Sequence, residues 1–364
     1  MIGRLTINTI QSCNLNCIYC YANGGEYNGA PVKLNTQAAI KSLKELSTIH
    51  KNIKIVQFIG GEPLLNLSAM NTICHEIDIL VKEKVLNQMP KIAAITNLTV
   101  LTKKHLELFK RYKFNLTVSL DGPKYIHDQL RLTKQNKGTY DRIVTNIGRI
   151  EKENIPYSFE ATYTKIHYKM KINFIDLLDY FSRFNPLSID IVTSALSDTA
   201  CNDLSLHDNE IKDIITWQID AINYCIQKLY SKTIIPYGLL RDAVSIIASN
   251  KKYMESFCPA EKTNFSISSD GEVYGCHMFT NKKHHVLYNN QCQLNVSYKK
   301  LPSKSDFSKC VDCWARQWCR VCVGNMEIRS LENPRPEWFN CELNKKTLQT
   351  TLQLLPAALE SLYI

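Results

Sequence analysis

No apolar run in the 364 residues reaches the roughly twenty positions that a membrane-spanning helix needs, so no span is expected. The start, MIGRLTINTIQSC, lacks a charged segment followed by an apolar core, so no secretory signal is read there. Internal repeats and low-complexity tracts are missing too. Without export signal or span the protein is expected to be cytoplasmic, where thiols stay reduced. The fourteen cysteines are then expected to bind metal rather than pair as disulfides. A hydrophobic fraction of 45% and a charged fraction of 21% are globular values. The length exceeds what one small core needs and predicts one large domain plus a smaller one. The formal net charge of +10 suits an anionic partner, or a lysine-rich solvated surface.

Along the first half, strand-like and helix-like stretches alternate. RLTINTI (4–10), IKIVQFIG (53–60), KIAAITN (91–97), FNLTVSL (114–120), IPYSFEATYT (155–164) and LSIDIVTS (187–194) read as strands. Between them, 33–51, 66–85, 102–113, 139–154 and 168–184 read as helices, the first capped at Asn35 or Thr36. Six such units predict an α/β fold, a partial (β/α)6 TIM-like barrel with its chemistry on the loops after the strands. A helical connector is expected at 201–257. Residues 258–364 read as a small cysteine-rich domain with a terminal helix, held by metal more than by a core. The barrel is expected over 1–200.

Missing, too, is a fourth cysteine beside the first three. Cys13, Cys17 and Cys20 follow the first strand with C-x3-C-x2-C spacing, and the next cysteine, Cys74, falls on a helix as core. A structural zinc site wants four ligands in a closed tetrahedron. Three thiolates on a four-iron cluster leave one iron open and reactive.

CNLNCIYCYA resembles the cluster motif of the radical S-adenosylmethionine (SAM) enzymes. IGGEPLL (59–65) resembles that family's GGEP motif; TN (96–97) and SLDGP (119–123) resemble stretches that contact SAM there. The resemblance implies a first 4Fe–4S cluster on Cys13, Cys17 and Cys20. It implies SAM contacts from Tyr19, Gly60, Gly61, Glu62, Asn97, Ser119, Asp121 and Arg131, with Glu62 taking the ammonium and the glycines allowing close backbone approach. SAM would chelate the open iron, and reductive cleavage would yield a 5′-deoxyadenosyl radical that abstracts hydrogen from an unactivated carbon.

Eight of the fourteen cysteines lie in 258–341. Cys310-x2-Cys313 followed by Cys319-x2-Cys322 first suggests zinc. Interleaved with Trp314, Arg316, Trp318 and Arg320, it leaves open a nucleic-acid-binding zinc module. Beside the barrel motifs the set resembles a SPASM domain with two auxiliary 4Fe–4S clusters. That resemblance implies Cys310, Cys313, Cys319 and Cys341 on the outer cluster and Cys258, Cys276 and Cys322 on the inner one. The family usually has C-x3-C where this chain has Cys319-x2-Cys322. A fourth inner ligand is missing from PAEKTNFS, so the inner cluster has an open iron unless Cys292 reaches it. Cys201 and Cys225 read as structural.

Two branches of that family fit. CYANGGEY (20–27) resembles maturases that cross-link ribosomally made precursor peptides (RiPP maturases), by thioether or carbon–carbon bonds. GEVYGC (271–276) resembles enzymes that make formylglycine in sulfatases, but there an Asp base follows the cysteine and here His277 does, our candidate acid/base. The resemblance implies three clusters, SAM, a precursor peptide and a reducing partner such as flavodoxin or ferredoxin, with no nucleic acid and no membrane. With twelve residues before Cys13, a leader-binding domain is not expected, and a separate protein or the basic surface would read the leader.

Overall fold

The computed structural model describes all residues except 28, 195–203, 205, 250–254, 330–334 and 361–364. Its strands are β1 (Ile2–Asn8), β2 (Ile53–Ile59), β3 (Lys91–Thr96), β4 (Asn115–Ser119), β5 (Tyr157–Tyr163), β6 (Ile189–Thr193), β7 (Asn264–Ile267), β8 (Val273–Tyr274) and β9 (Val286–Tyr288). The α-helices are α1 (Thr36–His50), α2 (Leu67–Lys82), α3 (Lys103–Arg111), α4 (Lys124–Leu130), α5 (Tyr140–Lys152), α6 (Lys165–Lys169), α7 (Phe174–Ser182), α8 (Asp208–Tyr230), α9 (Gly238–Ala248), α10 (Ser308–Val311), α11 (Val323–Arg329) and α12 (Trp338–Glu360).

Two compact units are present. The first joins Met1–Leu120, His127–Tyr157 and Pro259–Lys300; the second joins Asp121–Ile126, Ser158–Cys258 and Leu301–Ile364. In the first unit the sheet runs β4-β3-β2-β1-β7 in parallel, then adds β8 and β9 antiparallel. The strands are apolar because both faces of a parallel sheet are covered: Leu5, Ile7, Val56, Phe58, Ala94, Leu116 and Val118 are all buried. Phe58 stacks on Phe114 with ring centroids 5.9 Å apart, and Phe109 of α3 lies 5.0 Å from Phe114. Helix α1 buries Ala39, Leu43 and Leu46, one stripe at helical spacing. Asn35 caps it, its Oδ1 accepting from the Ala38 amide at 3.1 Å. Lys51 ends it in the left-handed region at φ 49°.

In the second unit β5 pairs in parallel with β6, and β5 buries Tyr157, Phe159, Ala161 and Tyr163 at every second position. Helix α12 packs on α8 and α9, and α7 packs on α8.

The alternation expected from the sequence is present: six strands with intervening helices, the α/β class of a partial barrel. Two features were not foreseen. Helix α4 occupies the stretch after SLDGP. Strand β7, from the cysteine-rich segment, pairs in parallel with β1 and so extends the amino-terminal sheet. Cys201 lies outside the described residues, and no helix among those described is long and apolar enough to cross a membrane.

Gly148 lies within α5, where an added Cβ would meet nothing within 4 Å. Gly148→Ala should therefore stabilise the protein by about 0.8–1 kcal/mol through helix propensity alone, read as a higher denaturant midpoint at unchanged slope.

Candidate functional site

The loop that leaves β1 carries Cys13, Cys17 and Cys20, and three sets of contacts fix it within the first unit. At its start, the Gly61 amide donates to the Ile10 carbonyl at 2.9 Å and the Glu62 amide to the Ser12 carbonyl at 3.1 Å. In the middle, the Asn16 amide donates to the Leu132 carbonyl at 2.7 Å and the Ile18 amide to the Leu130 carbonyl at 3.0 Å. Beyond Cys20, Gly25 lies against Gly61: a Cβ on Gly25 would sit 2.3 Å from the Gly61 Cα. One on Gly61 would sit 2.2 Å from the Ser12 carbonyl oxygen, and one on Gly60 2.5 Å from that of Ile10. The glycines of IGGEP and YANGG thus pack backbone on backbone.

Cys13 and Cys20 are electrostatic neighbours, and Cys17 shares their loop, its carbonyl accepting from the Cys20 amide at 3.1 Å. Cys13 senses the charge of Cys20 and Glu62, and burial with these two neighbours pushes its thiol up to about 11. The Leu15 amide and the Asn97 side chain work the other way, donating to Cys13 Sγ at 3.4 Å and 3.7 Å. Cys20 Sγ accepts from the Gly24 amide at 3.3 Å. Amide donors aimed at sulfur favour thiolates, and a bound cation would complete what they begin.

Glu62 is fully buried just beyond β2. Its Oε1 accepts from the Leu64 amide at 3.0 Å and from Thr96 Oγ1 at 2.6 Å; its Oε2 accepts from the Asn97 amide at 2.6 Å. A carboxylate has about four acceptor sites, so one remains on Oε2. Burial raises this carboxyl to about 7, against the pull of its three donors and of Arg131. A buried carboxylate with a spare lone pair fits an ammonium ligand. His105 secures the next turn, its Nε2 donating to the Leu64 carbonyl at 2.9 Å while Nδ1 accepts from the Thr102 amide at 3.1 Å.

Asn97 is committed to the loop. Its Nδ2 also donates to Asn14 Oδ1 at 3.1 Å, and its Oδ1 accepts from the Thr99 amide at 2.9 Å and hydroxyl at 2.6 Å. The Arg131 guanidinium lies over the Tyr19 ring, 5.4 Å from its centroid. Ser119 is buried at the end of β4. In the second unit, Asp121 is fully buried; its Oδ1 accepts from the Thr162 amide at 2.9 Å and its carbonyl from His167 Nε2 at 2.8 Å. Sequence reasoning missed Asn8, at the carboxyl end of β1. It is fully buried, and neither polar atom of its side chain has a partner among the described residues. Its only signal was position: the last strand residue, beside Gly60.

The later cysteines divide between the units. In the second, Cys310, Cys313, Cys319 and Cys341 lie within one electrostatic neighbourhood: Cys319 feels the other three, and Cys341 feels Cys310 and Cys313. Burial first, and these neighbours with it, push Cys319 up to about 12. Four thiols in one neighbourhood suit the wider spacing of an iron–sulfur cluster. Cys258 and Cys322 each follow a residue of a hydrogen-bonded pair, the Val321 amide donating to the Phe257 carbonyl at 3.2 Å.

In the first unit, the Cys276 Sγ lies 3.7 Å from His277 Nδ1. Cys292 lies against α1. Its Sγ lies 3.8 Å from Ser42 Oγ of α1, and that hydroxyl donates to the Gly271 carbonyl at 2.6 Å. Gly271 is in the turn that enters β8, whereas Cys276 follows its exit. Cys74 and Cys225 are buried on helices α2 and α8.

Parallel βα units with a three-cysteine loop after the first strand and a glycine-held carboxylate after the second fit the class of α/β proteins that carry a metal cluster at the strand ends. Residues 7–180 match the model of the Radical SAM superfamily, so the chain carries a radical SAM domain over that span. It is 25% identical over 328 residues to the cysteine-type anaerobic sulfatase-maturating enzyme of Clostridium novyi, which covers 86% of this chain and 84% of that protein. It is 24% identical over 351 residues to the radical SAM cyclopropyl synthase TigE of Paramaledivibacter caminithermalis, covering 90% of this chain and 69% of that one. The solved structure of native anSMEcpe with bound AdoMet and Cp18Cys peptide has the same fold. Its TM-score is 0.75 at 16% identity, over 98% of this chain and 99% of that one.

Two outcomes test this geometry. Gly61→Ala should cost about 1–3 kcal/mol by overpacking, since the obstruction is backbone and cannot rotate away, and thermal unfolding will show it. Glu62 binds its proton more tightly folded than unfolded. It therefore stabilises the metal-free protein fully below pH 4.5 and loses that contribution as pH rises through about 7. A shift of this size corresponds to about 3 kcal/mol. Glu62→Gln should flatten the metal-free stability profile between those pH values.

Proposed function

We propose that the protein is a radical SAM peptide maturase that installs an intramolecular cross-link, a thioether or a carbon–carbon bond, in a ribosomally made precursor peptide. The observation that supports this reading is the single loop that carries Cys13, Cys17 and Cys20, with Cys13 in the electrostatic neighbourhood of Cys20 and of the buried Glu62. When bound, SAM and a reduced cluster supply a 5′-deoxyadenosyl radical able to take hydrogen from unactivated carbon. The chain's own residues do the positioning. Glu62 Oε2 accepts an ammonium proton, Asn97 and the Leu15 amide hold Cys13, and Arg131 with Tyr19 forms a flat cationic–aromatic wall. Gly60, Gly61, Ser119 and Asp121 complete the proposed SAM contacts.

We assign an outer auxiliary cluster to Cys310, Cys313, Cys319 and Cys341, supported by their mutual proximity. An inner cluster on Cys258, Cys276 and Cys322 follows the SPASM resemblance and would keep one iron open, since Cys292 faces α1. His277, next to Cys276, is proposed as the acid/base group. A peptide substrate is supported by the Cp18Cys peptide of anSMEcpe, and bond formation by the cyclopropyl chemistry in the name of TigE. Electrons would come from a flavodoxin or ferredoxin. The likeness to the Clostridium novyi enzyme favours a second reading, formylglycine formation in a sulfatase.

Anaerobically purified protein should be brown, hold about ten to twelve irons, and release 5′-deoxyadenosine on reduction with SAM. Cys13→Ala should abolish that release. A precursor peptide treated with the enzyme should lose two hydrogens per event by mass spectrometry; an aldehyde on a sulfatase peptide would establish the second reading instead. Colourless, zinc-loaded protein that leaves SAM intact would refute both.

A further inference from the structure

Lys304 opens a short 3-10 turn (Lys304–Asp306) in the second unit, just before the proposed outer-cluster cysteines. Ser303 caps that turn, accepting from the Ser305 amide at 3.3 Å, and the Ser303 amide donates to Asp306 Oδ2 at 2.7 Å. The Lys304 amide donates to the Glu255 carbonyl at 2.7 Å, so the backbone is fixed at the point where the side chain turns inward. Lys304 is 1% exposed, far below the usual exposure of a lysine. Its Nζ donates to the carbonyls of Arg316 at 2.5 Å and Cys319 at 2.8 Å, and lies 5.8 Å from the centre of the Phe257 ring. Burial, the largest influence, works against its ammonium form and lowers its pKa, as does Arg316; Cys319, Cys310 and Cys313, three of the four thiols assigned to the outer cluster, work the other way.

A buried ammonium is costly unless anionic groups surround it. Four thiols supply such surroundings once they ligate iron, because a ligating thiol gives up its proton and leaves net negative charge at the site. Nearby positive charge favours the reduced, more negative form of an iron–sulfur centre and raises its reduction potential. Its hydrogen bond to the Cys319 carbonyl also holds that ligand's backbone, a second lever on such a centre.

We propose that Lys304 is a positioning residue for the outer auxiliary cluster, its buried ammonium stabilising the thiolate set and holding the cluster's reduction potential up. The inference rests on the outer-cluster assignment above. It makes that cluster the more easily reduced, and so a better acceptor for an electron leaving a substrate radical.

The test uses the full chain with Cys13, Cys17 and Cys20 replaced by Ala, so that only auxiliary clusters remain, in electron-paramagnetic-resonance-monitored redox titrations. Lys304→Gln removes the charge and keeps a donor; Lys304→Arg keeps the charge. Lys304→Gln should load iron fully and show, in one titration wave, about a tenfold lower reduced-to-oxidised ratio at fixed potential, a shift of about 59 mV for one electron. Lys304→Arg should stay within about a third of that shift. Full loading with an unmoved wave in Lys304→Gln overturns the proposal and leaves the cluster assignment standing. If Lys304→Gln fails to load the outer cluster and Lys304→Arg loads it, the charge requirement is supported. If neither loads, Lys304 serves packing alone and the proposal fails. The assignment is checked separately: replacing Cys310, Cys313 and Cys341 together by Ala should remove about four irons, and no loss overturns assignment and proposal alike.

Discussion

The approach of one glycine backbone to another governs the candidate site. Gly61 lies against Ser12 on one side and Gly25 on the other, closer than any side chain would allow, and its amide donates to Ile10. That contact joins the end of β2 to both flanks of the cysteine loop. Without it, Cys13 and Cys20 would hang on an irregular segment of the kind that pays a full ordering cost whenever it binds. With it, the loop is ordered before any cofactor arrives, and Glu62, the next residue, is carried into a fully buried position.

Burial then sets the electrostatics. Burial raises both Glu62 and Cys13, and Glu62 adds to the cost of ionising Cys13, while amides from Leu15, Leu64 and Asn97 hold these costs down. Such an arrangement is unfavourable when empty and favourable when a cationic group and a metal occupy it. Structures that strain their ionisable groups in this way usually do so at functional sites. The same logic recurs in the second unit, where Lys304 and the crowded thiols of Cys310, Cys313, Cys319 and Cys341 are each costly alone and compensate one another when the thiols ionise.

Much of this was legible in the sequence because local rules agree with the fold. The apolar runs of β2 and β4 read as strands, and 33–51 read as a helix capped at Asn35 or Thr36, of which the structure uses Asn35. The cysteine spacing and the Gly-Gly-Glu-Pro turn carried the site. What the sequence could not show are contacts between distant segments. Pairing of β7 with β1 depends on an edge left free by the first sheet, which no periodicity reports. The clamp of residues 130–132 on the cysteine loop is made of backbone groups, which have no residue code. Asn8 reads as an ordinary residue within the strand 4–10 until the structure ends β1 there and leaves its buried amide without a partner among the described residues.

The glycines of YANGGEY illustrate the difference between a motif and its cause. In sequence, Gly24-Gly25 marked a resemblance to peptide maturases. In the structure, Gly24 donates its amide to Cys20 Sγ, and Gly25 takes φ +91° to lie against Gly61. Both contacts hold in place the loop that carries Cys13, Cys17 and Cys20. The glycines are thus explained by the loop's own packing, so the motif that marked the resemblance does not by itself distinguish one peptide from another.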